Sequence, residues 1–149
     1  MTDLGTMKRD LLNILCSAAL VVALAGAAAA RNAIWHSLLA MWEDCARKSP
    51  NKSRTHNNLG NCHVLLERYF PAIAEYQKAV ALEGGNLEAH YNLATALDTV
   101  GLYSPAMRSY EVFCRMAPPA LAEHKHRACT RLQELLDEAR RSGGAGGRP

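Results

Sequence analysis

The sequence predicts an all-α protein: a helix–turn–helix solenoid of about two and a half repeats plus a C-terminal capping helix, preceded by one apolar helix. Three observations carry this reading. The chain repeats itself at an offset of 34 residues, a period that suits two antiparallel helices and their turns. Aromatic residues make up only 6% of the 149 and β-branched runs are almost absent, which argues against a β-sandwich. Residues Leu11 to Ala30 carry no charge, a length that makes a helix of about 30 Å.

The elements follow in order. Residues 1–10 form a polar flank with Lys8 and Arg9 just before the apolar segment, and Arg31 stands just after it. The segment 11–30 has three readings: a retained transmembrane anchor, a cleaved signal, or a buried helix. The span favours the anchor. The Lys8-Arg9 start and the small Ala27–Ala30 run equally suit a signal. The basic residues on the two sides leave the orientation open. Residues 31–52 carry half a repeat, with Leu38-x3-Trp42, Cys45 at a small-residue site and Pro50-Asn51 closing it.

Two full repeats occupy residues 53–86 and 87–120. At the offset of 34, His56 meets His90, Asn58 meets Asn92, Leu59 meets Leu93, Tyr69 meets Tyr103, Pro71 meets Pro105, Ala72 meets Ala106 and Tyr76 meets Tyr110. Leu59, Gly60, Ala72 and Ala79 are small or slim residues suited to close helix crossings, and the tyrosines fill the space between repeats. Each proline is placed to open a second helix, with Ser104 as the N-cap of Pro105. Helices are expected near 34–48, 54–67, 71–83, 87–100, 105–117 and 120–140. Residues 121–141 read as a cap with Leu132, Leu135 and Leu136 on one face. The glycine-rich stretch 142–149 reads as a disordered tail.

His56-x2-Leu59-Gly60-x2-His63 with Ala72-x3-Tyr76, and His90-x2-Leu93-Ala94-x2-Leu97 with Ala106-x3-Tyr110 and Pro118, resemble the tetratricopeptide repeat (TPR) family. That resemblance implies a concave groove lined by the first helices, and a protein or peptide partner held there. Carried onto this chain, the groove is Arg54, Asn57, Asn58, Asn61 and Leu65, then Glu88, Tyr91, Asn92, Thr95 and Asp98, with Lys125 and Gln133 from the cap. Asn58 and Asn92, one repeat apart, are the expected peptide-gripping pair, roughly 8–10 Å from each other. Binding between neighbouring helices is their alternative role. The charged clamp for C-terminal carboxylates found in some TPR proteins lacks its lysine, since Asn57 stands at that place.

The junction is similar to a narrower setting. Arg31-Asn32-Ala33-Ile34-Trp35, Met41-Trp42-Glu43-Asp44, Lys48-Ser49-Pro50 and Asn58-Leu59-Gly60 resemble the passage from membrane helix to repeats in transmembrane TPR O-mannosyltransferase-like proteins. This likeness implies repeats on the extracytoplasmic side, either anchored there or exported after signal cleavage. It also implies a rival reading, an accessory or relic segment of a membrane glycosyltransferase system that presents acceptor polypeptide.

Chemistry is sparse. With 17 Lys+Arg against 14 Asp+Glu spread along the chain, no basic stripe points to nucleic acid. No cofactor, metal or small-molecule substrate is expected, and no enzymatic activity. His124 and His126 would diverge by about 200° on a helix, so His124-x-His126-x2-Cys129 makes a poor metal site. Cys62-His63 diverge by about 100° and lack a third partner. The five cysteines are odd in number, widely spaced and without CxxC. A disulfide framework and a zinc ribbon are both poorly supported, and Cys45, Cys62, Cys114 and Cys129 are expected to be weakly hydrophobic helix-face residues, not a metal site.

Overall fold

A computed structural model describes residues 4–144. These form six α-helices: α1 (Leu4–Lys48), α2 (Ser53–Leu65), α3 (Tyr69–Leu82), α4 (Leu87–Thr99), α5 (Tyr103–Met116) and α6 (Ala122–Gly144), with a 3₁₀ turn, Pro119–Leu121, before the last. No strand occurs among the described residues. The chain divides into two compact units at Leu38/Leu39. The first is helix alone, and its large apolar side chains, such as Leu12, Leu20 and Val22, are more than half exposed. By length and composition this helix is apolar enough to cross a membrane.

The expected break between the apolar segment and a helix starting at 34 does not occur. Between Ala27 and Ser49 there is neither glycine nor proline, so nothing in the local chemistry stops α1. At the other end, Ser142 to Gly144 continue α6 rather than beginning a tail. The rest of that expected tail, 145–149, lies outside the described residues, as does the start of the N-terminal flank, 1–3.

The second unit stacks α2 on α3, α3 on α4, α4 on α5 and α5 on α6. Its core is built from small residues and two tyrosines: Ala72, Ala94 and Ala106 are fully buried, and Tyr76 and Tyr110 lie among them with Leu93, Leu97 and Phe113. Gly60 shows how tight the crossing is. A Cβ there would sit 2.5 Å from the Tyr76 ring. In the second repeat Ala94 takes that place.

Both repeats turn in the same way. After α2, the Arg68 N–H donates to the His63 carbonyl and the Glu67 N–H to the Val64 carbonyl. After α4, Leu102 N–H donates to the Leu97 carbonyl and Gly101 N–H to the Asp98 carbonyl. These are paired Schellman bonds, which place one residue in the left-handed region. That residue is Gly101 (φ 78°) in one turn and Glu67 (φ 57°) in the other. The second helices start two residues earlier than expected, at Tyr69 and Tyr103, so Pro71 and Pro105 lie third in the first turn. Neither helix has a side-chain cap: Ser104 is inside α5 and the N-cap is Leu102. A proline is still harmless there, because first-turn N–H groups lack intrahelical partners.

The repeated histidines are structural anchors. His56 Nε2 bonds the Pro50 carbonyl at 2.8 Å and His90 Nε2 bonds the Gly84 carbonyl at 3.1 Å, each reaching six residues back to pin the loop before its helix. His56 Nδ1 also meets Glu75 Oε2 at 2.7 Å. Burial acts to raise the Glu75 carboxyl, but hydrogen bonds from Lys78 and His56 outweigh it and hold it below its ordinary value. In the second repeat Ser109 stands where Glu75 stood, and His90 Nδ1 is buried without a partner.

Two features of α6 complete the fold. Arg131 grips Asp98 of α4 through Nε (2.8 Å) and Nη2 (3.0 Å) while its Nη1 holds Glu134. Those hydrogen bonds raise the guanidinium above its ordinary value. Cys114 of α5 and Cys129 of α6 form a disulfide, with Cα atoms 5.7 Å apart. This corrects the expectation of unpaired thiols: stacking α6 on α5 brings together two residues 15 apart in sequence. Cys129 is therefore no thiolate ligand for a metal. Cys16 is exposed, Cys45 half-buried and Cys62 buried, all three unpaired.

Candidate functional site

The first helices α2 and α4 lie in contact, and a polar network runs between them. Asn92 Nδ2 donates to Asn57 Oδ1 at 3.0 Å and to Asn61 Oδ1 at 3.1 Å. Tyr76 hydroxyl donates to the same Asn61 oxygen at 2.7 Å, and Asn57 Nδ2 donates to Glu88 Oε1 at 2.9 Å. Asn57 is 1% exposed, so its bonds are what make its burial tolerable. Burial pushes the Tyr76 hydroxyl above its ordinary value, with Glu88 and Cys62 adding to the effect.

The inventory of donors and acceptors shows what the network leaves over. Both Asn92 amide hydrogens and both acceptor sites of Asn61 are used. Asn61 Nδ2 and Asn92 Oδ1 have no partner among the described residues, and neither is buried. Two touching amides thus present one free donor and one free acceptor. That is the complement of a peptide unit.

Two clefts share Tyr91 and Asn92 in their lining, and the first also includes Asn61. The first, about 290 Å³, is lined by Asn61, Val64, Leu65, Tyr69, Tyr76, Tyr91, Asn92, Thr95, Ala96 and Thr99. The second, about 420 Å³, is lined by Glu88, Tyr91, Asn92, Phe113, Leu121 and His124. Tyr91 packs on Phe113 with ring centroids 5.1 Å apart and meets His124 edge-on at 5.5 Å.

Of the residues expected in the groove, the structure brings together Asn57, Asn61, Leu65, Glu88, Tyr91, Asn92 and Thr95 around these clefts. Asn58 is not the partner of Asn92. It is half-buried and makes no side-chain hydrogen bond among the described residues. The reason is helical register: 57, 61 and 65 share a stripe at four-residue steps, and position 58 lies about 100° round from 57. The amide in hydrogen-bond contact with Asn92 is that of Asn61, one turn further along α2. Arg54 is exposed and lines neither cleft. Asp98 is occupied by Arg131, and also accepts from Tyr110 at 3.4 Å. Lys125 Nζ donates to the Ala117 carbonyl, and Gln133 bonds Asp137 along its own helix.

Phe113, Leu121 and His124 come from outside the first helices of the two full repeats and were not foreseen in the groove. The sequence signal for Phe113 was its place one turn beyond Tyr110 on the buried face. Burial raises the Cys62 thiol and lowers the neighbouring His63 imidazolium, so burial opposes the charges that thiolate catalysis needs. Among the described residues no cluster of three metal-ligating side chains occurs.

Comparison with known proteins supports the fold. The type III secretion chaperone SycD of Yersinia enterocolitica, in complex with a peptide of the translocator YopD, matches with a TM-score of 0.67 at 17% identity, over 87% of this chain and 95% of that one. PcrH in complex with the chaperone-binding region of PopD matches at 0.65 and 17%, over 88% and 95%. The first TPR of Spaghetti (RPAP3) bound to the HSP90 peptide SRMEEVD matches at 0.64 and 15%, over 73% and 82%. The chain has a TPR-like helical fold. No protein-family profile matches it, and no curated protein matches it in sequence.

Proposed function

We propose that the chain is a peptide-binding adaptor or chaperone module whose groove holds an extended segment of a protein partner. The observation that carries this is the free Asn61 donor beside the free Asn92 acceptor at two open clefts. Such a pair bonds any backbone unit regardless of side chain, and the two clefts take alternate residues of an extended chain. The structural neighbours caught with peptides support the same use of the fold.

The same reading places the module on or beyond a membrane, through α1, on the extracytoplasmic side. The exposed apolar stretch of α1 supports attachment or export. The Cys114–Cys129 disulfide supports an oxidising compartment, where such bonds persist.

The test is to pan a library of acetylated decapeptides on the full chain in detergent micelles and titrate the selected peptides. Asn61→Ala and Asn92→Ala should each weaken binding by about 0.5–1.5 kcal/mol with the helical signal unchanged. No selected peptide, or affinities indifferent to both substitutions, would refute the groove. Alkaline extraction of membranes tests the second part: an anchored chain stays in the pellet, and a chain that washes out is not anchored.

A further inference from the structure

We infer that the cleft between Tyr91 and α6 accepts a cationic side chain, the alkylammonium or guanidinium of a lysine or arginine in the bound segment. This rests on the groove reading above and names what the groove selects. Glu88 stands at the cleft with one carboxylate oxygen accepting from Asn57 at 2.9 Å. Its other oxygen has no partner, and no cation pairs with it among the described residues. The contrast with the other groove acid is direct, since Asp98 is closed off by Arg131. Lys125, next to His124 in sequence, is engaged by the Ala117 carbonyl at 3.1 Å.

The remaining walls suit the same ligand. Tyr91 and Phe113 pack together with His124 at the rim, and a cation within about 6 Å of an aromatic centroid is attracted by the ring face. Leu121 and Phe113 offer apolar surface to the methylene stem that carries the charge. A cleft of about 420 Å³ has room for a long side chain. A carboxylate lining the same cleft as these rings repels an acidic residue, so the groove discriminates by charge as well as by shape.

The experiment uses the selected decapeptides, acetylated so that the only ammonium is a side chain. Selected sequences should carry Lys or Arg at one fixed position. Replacing that lysine by norleucine, the same stem without charge, should lower affinity about tenfold on the natural chain and no more than about twofold on Glu88→Gln. Glutamine keeps an oxygen for Asn57, so this variant retains the network. Tyr91→Leu should lose part of the same preference. Selected peptides without a basic position, equal binding of the norleucine form, or an undiminished lysine preference on Glu88→Gln would each overturn the inference and leave the groove standing. Failure to select any peptide would remove the groove and the inference together.

Discussion

Replacing Gly60 by alanine tests how the core and the groove are joined. The new methyl carbon would stand 2.5, 2.7 and 2.9 Å from three carbons of the Tyr76 ring. To reach ordinary contact the ring must retreat by about 0.9 Å, judged against a 3.4 Å contact. Tyr76 cannot retreat freely, because its hydroxyl is bonded to Asn61 at 2.7 Å. Overpacking costs roughly 1–3 kcal/mol and a strained or lost hydrogen bond about 1 kcal/mol. Alanine recovers up to about 1 kcal/mol of helix propensity. The net expectation is a loss of about 1–3 kcal/mol, read from urea unfolding followed by circular dichroism. Peptide affinity should fall as well, because Asn61 is displaced. In a Tyr76→Leu background the alanine should cost nothing or stabilise, giving a large coupling in the double-mutant cycle. Unchanged stability of Gly60→Ala, or equal costs in both backgrounds, would refute the tight crossing.

Three further outcomes follow from separate contacts. Glu67→Gly should stabilise the chain by up to about 1 kcal/mol in urea unfolding, because Glu67 holds a left-handed φ of 57° where the other repeat has Gly101. Arg131→Met should destabilise by roughly 1–3 kcal/mol in the same assay, discounted for the 35% exposure of the arginine, because Asp98 keeps its charge at 15% exposure; Asp98→Asn in that background should recover part of the loss. Burial holds the His63 pKa below 6.5, so the unfolded chain binds the proton more readily. Its contribution is complete above about pH 6.5 and is lost as pH falls through the lowered folded value, and His63→Phe should flatten that part of a urea-midpoint profile.

The fold was legible in the sequence because a solenoid writes its packing as a period. Tyr76 and Tyr110, or Ala72 and Ala106, do the same work 34 residues apart. The polar network lies on the first helices α2 and α4, as read from the sequence, but joins other residues than the period alone pairs. Equivalence by period pairs Asn58 with Asn92, whereas contact between tilted neighbouring helices pairs Asn92 with positions 35 and 31 residues earlier. The wall of the second cleft was hidden for a related reason: Phe113 reaches it from a second helix and His124 from the cap, and their meeting at Tyr91 depends on stacking. The disulfide belongs to the same class of contact. The histidines repeated at positions 56 and 90 are explained by the contacts themselves, to loop carbonyls six residues upstream.

The bridge between Cys114 and Cys129 encloses the bend from Ala117 to Leu121, whose Pro118, Pro119 and Ala120 face solvent. A protease that cuts within this bend opens the backbone without dividing the molecule. The two fragments stay tethered at the sulfur atoms, and α6 remains held by Arg131 to Asp98. A nicked chain therefore migrates as one species until it is reduced. A limited digest that reports an intact band without thiol therefore conceals whether the module has already been cleaved.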